Sequence, residues 1–402
     1  MANVSSSNGL EKRPKLRFPG FDEPWQTTLL SSVFAKNTQK NTDGRITNVI
    51  CNSAKQGLIP QREYFDKNIA NSDNTNGYYI IEENDFVYNP RKSADAPYGP
   101  ISSYKYTEAG IVSPLYLCFR AKKEINPAFF EWYFRSSAWH RYVYMSGDSG
   151  ARHDRVSIKD DTFFAMPINI PSAHEQAQIA IFLERIEQRI EMQRALVDSL
   201  KKYKRGVVAA IFSHQLKFSD ATGNPYPEWT SCTLQDAVDF LDGQRKPLES
   251  ADRAKRQGQY PYYGASGIID YIDDFIFDEP LLLLGEDGAN ILNRSTPLCF
   301  IAEGKYWVNN HAHVMRPKAG QNIKFLCELL ESLDYTRYNT GTAQPKLNQD
   351  KCRRIGLALP VYEEQCHIAD FLSAFDQRTD KAQCILDYLL SNRDGLLQQL
   401  FI

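Results

Sequence analysis

The chain has 402 residues. A single hydrophobic core rarely grows beyond about 250–300 residues, so we predict more than one domain. Hydrophobic residues make up 42% and charged residues 24%, which is ordinary for a globular protein and excludes disordered and collagen-like chains. The net charge of -2 predicts no general attraction to nucleic acid, so a nucleic-acid contact would need local basic patches.

No apolar run approaches the roughly 20 residues that a membrane-spanning helix needs. The segment before Phe18 is Ser-rich and then basic, without the apolar stretch of a secretory signal. These features predict a cytoplasmic protein with no membrane contact.

Residues 1–170 are predicted to form a first domain of mixed α and β structure. Residues 78–81 and 109–120 have the composition of strands, and residues 127–144 have that of a helix. Loops rich in Gly, Asn and Pro separate them, as in residues 89–100.

Residues 171–215 are predicted to form a long helix. Ser172 and Glu175 fit the capping box that begins many helices. Apolar residues then follow at alternating spacings of four and three, which is typical of a coiled-coil seam. The seam residues are Ile179, Leu183, Ile186, Ile190, Val197 and Leu200.

Residues 216–358 are predicted to form a second mixed domain, with strands at 281–284, 298–302 and 307–308 and a helix at 323–333. Residues 359–402 are predicted to form a second long helix with the same apolar spacing. Its seam residues are Ile368, Leu372, Phe375, Leu386, Leu389 and Leu396.

The two long helices are an internal repeat. Residues 170–212 and 359–401 align without a gap at an offset of 189, with 13 identical positions. The repeat extends to the segments before each domain, because Leu16, Phe18 and Trp25 correspond to Leu216, Phe218 and Trp229. We therefore predict a pseudo-twofold molecule in which the helices pair antiparallel and separate two domains; the alternative is that each helix packs only on its own domain.

Several motifs resemble the DNA specificity subunit of type I restriction–modification enzymes over nearly the whole chain. The opening segment 13–21 resembles the family's start, and the P-x-x-x-E-Q-x-x-I-A-x-F-L pattern occurs at 171–183 and again at 360–372. Segments 262–267, 285–290 and 307–314 resemble one type of target recognition domain, and 341–347 resembles its closing loop. The corresponding loop of the first domain, 150–158, is two residues longer, so the base preference of one domain does not transfer to the other.

The resemblance implies an α/β (α+β) fold with two target recognition domains and a non-catalytic role. It implies that the subunit reads an asymmetric two-part sequence in double-stranded DNA and holds two methyltransferase subunits. The long helices and their seam residues would set the gap between the two parts and help to dock those subunits. Restriction and translocase subunits can join. S-adenosylmethionine, ATP and Mg²⁺ would then belong to the partners, and this chain would bind no cofactor.

Basic and polar loops are the candidate DNA contacts, because Lys and Arg bind phosphate and Asn or Gln can read adenine. A solvated surface is the alternative for each loop. The predicted DNA-binding residues are Arg91, Lys92, Tyr98, Arg152, His153, Arg155, Arg245, Lys246, Tyr263, Asn309, Asn310, His311, His313, Gln344 and Lys346.

Two other functions remain open from the sequence. One is a coiled-coil scaffold that joins proteins without reading DNA. The other is a Mg²⁺-dependent nuclease, because Asp287, Glu303 and Lys305 have the D…E-x-K order, although Glu303-Gly304-Lys305 is better explained as a hairpin turn. His311 and His313 are too few for a predicted metal site.

Overall fold

The computed structural model describes residues 11–64, 75–149, 154–341 and 344–402. The chain divides into two compact units, Met1–Arg194 with Cys384–Ile402 and Ala195–Gln383. Within the described residues, none of the helices combines the length and the apolar character that a membrane span requires.

The first unit contains short strands and short helices ahead of the first long helix. Its strands are β1 (Gln26–Leu29), β2 (Phe34–Lys36), β3 (Ile50–Ser53), β4 (Gly57–Pro60), β5 (Tyr79–Ile81), β6 (Phe86–Tyr88), β7 (Ile101–Ser103), β8 (Gly110–Val112), β9 (Leu117–Ala121), β10 (Asp148–Ser149), β11 (Val156–Ser157) and β12 (Pro167–Ile170). Its short helices are α1 (Leu30–Val33), α2 (Gln61–Tyr64), α3 (Pro127–Arg135), α4 (His140–Ser146) and α5 (Asp160–Phe164).

Four of these strands form an antiparallel sheet in the order β2-β9-β6-β7. Phe34, Phe86 and Phe119 from the sheet pack on the aromatic face of α3, and all three are fully buried. The predicted helix 127–144 is two helices, because the chain turns at Ser136, whose hydroxyl donates to the Tyr133 carbonyl oxygen. The predicted strand 109–120 is likewise two strands, β8 and β9.

The first long helix is α6 (Ala173–Phe212), and the second unit follows the same plan after it. Its strands are β13 (Thr230–Thr233), β14 (Val238–Phe240), β15 (Gln257–Gly264), β16 (Gly267–Ile272), β17 (Phe277–Asp278), β18 (Leu281–Gly285), β19 (Cys299–Ala302), β20 (Lys305–Val308), β21 (Ala312–Pro317) and β22 (Gly356–Leu359). Its helices are α7 (Leu234–Ala237), α8 (Ser250–Lys255), α9 (Asn290–Asn293), α10 (Ile323–Ser332), α11 (Gln349–Arg353) and α12 (Tyr362–Leu400), with 3-10 turns at Asp242–Gln244 and Thr336–Tyr338.

The two units share a topology that their sequences do not reveal. The second unit has an antiparallel sheet in the order β14-β21-β18-β19, which corresponds strand for strand to β2-β9-β6-β7. In both units the strand after the repeated Trp (Trp25 or Trp229) pairs with the strand before the long helix, β1 with β12 and β13 with β22. The second unit adds a further sheet in the order β16-β15-β20-β17. The units therefore share this sheet and differ in the strands and loops that surround it.

The long helices contribute to both units and pair antiparallel in each. In the first unit Ile179 and Leu183 of α6 share a core with Leu400 of α12, and Glu187 lies 3.3 Å from Arg393. In the second unit Ile211 shares a core with Ile368, and Lys204 lies 2.7 Å from Asp376. In both units the residue numbers rise along α6 as they fall along α12.

The sequence offset of 189 relates the residues of these two ion pairs, Lys204 to Arg393 and Glu187 to Asp376. The two helices therefore pair in the same register within each unit. The predicted fold class is confirmed by this arrangement. All twelve predicted seam residues are buried or half-buried within the chain. These side chains pack within the chain, and the prediction that the long helices also help to dock the methyltransferase subunits stays a prediction.

Candidate nucleic-acid interface

The first unit brings two of the predicted basic loops together. Arg91 and Arg155 lie opposite each other in an isolated antiparallel bridge. The Lys92 amide donates to the Asp154 carbonyl oxygen at 2.8 Å, and the Val156 amide donates to the Pro90 carbonyl oxygen at 2.9 Å. Backbone hydrogen bonds therefore fix Arg91, Lys92 and Arg155 beside one another.

These three cations line a cleft of 920 Å³. Lys55 also lines it and lies 3.5 Å from Asp95, which is the acidic residue in the cleft wall. Within the described part of the chain, Arg91, Lys92 and Arg155 have no carboxylate partner. Burial raises the pKa of the Tyr116 hydroxyl in the same wall, and the charges of Arg155 and Arg91 partly oppose that shift. The cleft is therefore electropositive, as a phosphate-binding surface requires.

Of the three other residues predicted for this interface, Tyr98 packs elsewhere and two lie outside the described residues. Tyr98 is half-buried, its ring lies 4.7 Å from that of His140, and its carbonyl oxygen accepts from the Tyr88 hydroxyl. Burial lowers the pKa of His140 to about 4, so Tyr98 packs on a neutral ring rather than facing the cleft. Arg152 and His153 lie outside the described residues.

In the second unit, backbone hydrogen bonds join four segments that are far apart in sequence. The Glu286 amide donates to the His311 carbonyl oxygen at 2.8 Å, and the Leu347 amide donates to the Glu286 carbonyl oxygen at 2.7 Å. The Asn309 amide donates to the Tyr263 carbonyl oxygen at 3.1 Å. The loops after β15, β18 and β20 and the closing loop are thus held side by side.

Five of the predicted residues are exposed on these loops and on the segment before α8, which we call the polar loop surface. They are Lys246, Asn310, His311, Gln344 and Lys346. His311 Nδ1 lies 2.7 Å from Asp287 Oδ2, and Lys346 Nζ lies 3.5 Å from Glu286 Oε1. These contacts restrain the side chains and leave their outer faces in solvent.

Arg245 and His313 lie beneath this surface. Arg245 donates to Glu286 at 2.8 Å and to the Ala312 carbonyl oxygen at 2.7 Å. His313 is fully buried, with Nδ1 2.7 Å from Asp242 and Nε2 2.7 Å from the Leu347 carbonyl oxygen. Burial acts to raise the pKa of Asp242, but the bond and charge of His313, with the Arg245 charge, hold it below its usual value.

The prediction of direct DNA contacts is therefore corrected for four residues. Arg245 and His313 use their polar atoms to hold the loops together. Asn309 is buried, and its side-chain oxygen accepts from the His311 amide. Tyr263 packs between Phe300 and Tyr306. The sequence pattern identified loops that the fold brings together, but it did not separate the residues that support these loops from those that are exposed.

Sequence reasoning missed three polar residues in the cleft of the first unit, Lys55, Gln56 and Gln61. Lys55 and Gln56 lie in the turn that joins β3 to β4, and Gln61 directly follows β4. The signal that could have found them is Lys55-Gln56-Gly57, a polar pair followed by a glycine that adopts a φ of 72°.

The residues of the proposed nuclease motif have other contacts. Asp287 pairs with His311, and the Lys305 ammonium lies 4.6 Å from the centre of the Phe275 ring. The predicted hairpin at Glu303-Gly304-Lys305 is also wrong, because β19 and β20 belong to different sheets. The described residues contain no cluster of His, Cys, Asp and Glu suited to a metal ion.

Comparison with known proteins assigns the chain to a family. The model for the type I restriction modification DNA specificity domain matches residues 23–202 and again 226–386. The chain belongs to this family, and the two matches repeat its internal duplication.

Two relatives are type I restriction enzyme specificity subunits. A putative one from Haemophilus influenzae is 32% identical over 155 residues, 38% of each chain. The EcoprrI specificity subunit of Escherichia coli is 30% identical over 149 residues, 37% of this chain and 36% of that protein. Each match thus spans little more than a third of the relative's length.

Solved structures share the fold along nearly the whole chain. The S subunit of a type I restriction-modification system from M. genitalium superimposes with a TM-score of 0.56 at 16% identity, covering 97% of this chain and 99% of that one. A chain from a study of complex assembly and conformational transition in the type I R-M system gives 0.59 at 14% identity, covering 95% and 98%.

Proposed function

We propose that this chain is the DNA specificity subunit of a type I restriction–modification complex and reads a two-part, asymmetric sequence in duplex DNA. The observation that carries the proposal is one framework used twice with different exposed loops. The first unit presents a cationic cleft, and the second presents the polar loop surface. Two unlike surfaces on equivalent frameworks suit two unlike half-sites.

The proposed partners are two methyltransferase subunits that carry S-adenosylmethionine, together with restriction and translocase subunits that use ATP and Mg²⁺. The chain itself is proposed to be non-catalytic and to act in the cytoplasm, where its DNA substrate lies. The paired helices are proposed to set the number of base pairs between the two parts of the target. Removing one seven-residue repeat from each helix should then change that number without changing the bases read.

The test is to express the chain with the methyltransferase encoded beside it, in a host without other methylation, and to map methylated bases by sequencing. We expect one two-part motif that appears only when this chain is present. An unchanged set of methylated sites without the chain would overturn the proposal. A scaffold without DNA readout would bind the methyltransferase and leave its sequence preference as it was.

A nuclease function is tested by incubating the purified chain with plasmid DNA and Mg²⁺. We expect no cutting, because Asp287 and Lys305 are engaged elsewhere in the fold. Mg²⁺-dependent cutting that Glu303→Gln abolishes would contradict the non-catalytic assignment.

A further inference from the structure

The cationic cleft of the first unit contains neutral polar groups as well as cations. Arginine and lysine bound to phosphate hold a duplex in place but carry no sequence information. Sequence is read by side chains that bond to base edges, and the amide of Asn or Gln does so for adenine by offering a donor and an acceptor together. The question is which amide side chains of the cleft wall have those atoms available.

The two asparagines in the wall are already used inside the domain. Asn52 donates to the carbonyl oxygens of Val87 and Pro100 at 2.7 and 3.2 Å, and its own oxygen accepts from the Ser102 hydroxyl at 2.9 Å. Asn89 accepts from the Arg91 amide at 3.1 Å and donates to the Asn52 carbonyl oxygen at 3.2 Å. Asn52 has both of its N–H donors engaged, and the nitrogen and the oxygen of the Asn89 amide both bond to the framework.

The two glutamines in the wall differ from the asparagines. The backbone amide of Gln56 donates to Ser53 Oγ at 3.3 Å, and that of Gln61 donates to the Val49 carbonyl oxygen at 2.8 Å. Their side-chain amides, each with one acceptor and two donors, have no hydrogen-bond partner among the residues that the structure describes. A backbone held in place and a side-chain amide with available donors and acceptor both favour base readout.

The β3–β4 hairpin is also suited to present these two side chains to a DNA groove. Gln56 lies in its turn, and Gln61 follows directly after its second strand. Ser53 Oγ accepts the amides of both Lys55 and Gln56 at 3.3 Å, which fixes the turn. A two-stranded ribbon is narrow enough for the major groove, where adenine exposes its N6 and N7 atoms.

We propose that Gln56 and Gln61 are specificity-determining residues that read base edges, adenine foremost, in one half of the target, while Arg91 and Arg155 hold the adjoining phosphates. This inference rests on the proposed function and deepens it. It assigns readout to two residues whose side-chain amides have no hydrogen-bond partner among the described residues, whereas those of Asn52 and Asn89 do.

The experiment uses the complete complex with its methyltransferase and maps methylated bases for Gln56→Ala, Gln61→Ala and the double variant. Gln39→Ala is the matched control, because Gln39 is an exposed glutamine of the same unit that does not line the cleft. We expect the preference at one or two positions of one half-motif to relax, with methylation of the original site slowed by about 5- to 150-fold. The other half-motif and the control should be unchanged.

The arginines supply the contrasting result. Arg91→Ala and Arg155→Ala should weaken binding to all sequences alike and reduce the salt dependence of log K by about 1 each, without changing the motif. An unchanged motif in the glutamine double variant would overturn the inference. So would a complex of this variant that assembles but loses affinity equally for every sequence. If the unmodified complex gave no two-part motif, the proposed function itself would fail, which is a distinguishable outcome.

Discussion

Glu175 and Glu364 occupy equivalent positions at the starts of the two long helices but have different partners. In the first unit Arg17 donates to both oxygens of Glu175 at 2.7 and 2.8 Å, and Trp25 donates to the same carboxylate at 3.3 Å. In the second unit Lys217 corresponds to Arg17, yet its ammonium lies 3.7 Å from the exposed Glu228. Oε2 of Glu364 is buried without a hydrogen-bond partner in the described part of the chain.

The neighbouring hydrogen bonds and ring contacts are otherwise equivalent at the two sites. The Leu16 amide donates to the Gln399 carbonyl oxygen, and the Leu216 amide donates to that of Ala210, which precedes Gln399 by the same 189 positions. The Phe18–Phe182 and Phe218–Phe371 ring pairs have centroid distances of 5.3 and 5.4 Å. The duplicated framework therefore keeps its packing in both units, whereas the second unit lacks one charged pair. Packing is spread over many positions, but replacing a single side chain is enough to remove an ion pair.

The largest expected effect is that of Arg17→Ala. It leaves the carboxylate of Glu175, which is 1% exposed, buried without its cation. We expect the free energy of unfolding of the first unit to fall by about 3–5 kcal/mol. Urea unfolding of the full chain, followed by hydrogen exchange in each unit, measures it. Lys217→Ala is the matched control and should cost less than about 1 kcal/mol, because its side chain is 68% exposed; equal costs would contradict the comparison.

The helix pair allows a second comparison, between Lys204 and Arg393. Lys204 joins Asp376 of α12 to Glu328 of α10 at 2.7 and 2.6 Å, whereas Arg393 contacts Glu187 at 3.3 Å and its own neighbour Asp394. Lys204→Met leaves two carboxylates near each other and should destabilise the second unit by about 2 kcal/mol. Arg393→Met should cost less in the first unit. The same unfolding measurement tests the order, and a larger effect at Arg393 would refute it.

Lys217→Arg should make the second site resemble the first. A guanidinium presents several donors in a fixed fork and can reach a carboxylate that a single ammonium does not satisfy. We expect the second unit to gain about 1–2 kcal/mol in its free energy of unfolding. Glu364→Gln combined with Lys217→Arg should abolish the gain. A gain that survives this combination would show that the arginine acts elsewhere.

The smallest expected effect is a pH dependence at Glu364. Burial raises the pKa of its carboxyl above the usual 4.5, and a hydrogen bond from Trp229 with the charges of His214 and His367 partly opposes the shift. A raised carboxyl pKa means that the second unit loses stability as the pH rises through it. Relative to Glu364→Gln, the unmodified chain should therefore become less stable on going from pH 4 toward neutrality. A stability difference between the two chains that does not vary with pH would contradict a raised pKa of the Glu364 carboxyl.

The sequence predicted the repeated parts of the fold well. The spacing of apolar residues from Ile179 to Leu200 and from Ile368 to Leu396 defined both long helices, because a helix pattern is local and persists over many turns. Short strands were predicted at several correct places, but the shared sheet order of the two domains was not. Strand pairing joins distant segments, such as β2 with β9, and a single sequence does not state which segments meet.

The sequence indicated candidate loops for the interface, and the structure then showed which residues of those loops are exposed. Arg91, Lys92 and Arg155 were expected in separate loops, and the fold joins those loops through backbone hydrogen bonds. His311 and His313 were indistinguishable in sequence, yet one is exposed and the other is buried against Asp242. Charge and residue type indicate which loops are polar, whereas burial decides which polar atoms remain free.

The sequence by itself determined the internal duplication, the two long helices and the family, because these rest on periodicity and motifs that lie along the chain. The tertiary structure decided which side chains form the surface that faces a ligand. It placed Arg245 and His313 beneath that surface as supports. Among the residues that the structure describes, the side-chain amides of Gln56 and Gln61 in the cleft wall have no hydrogen-bond partner. The physical reason is that a polar group's availability depends on partners that folding brings from elsewhere in the chain.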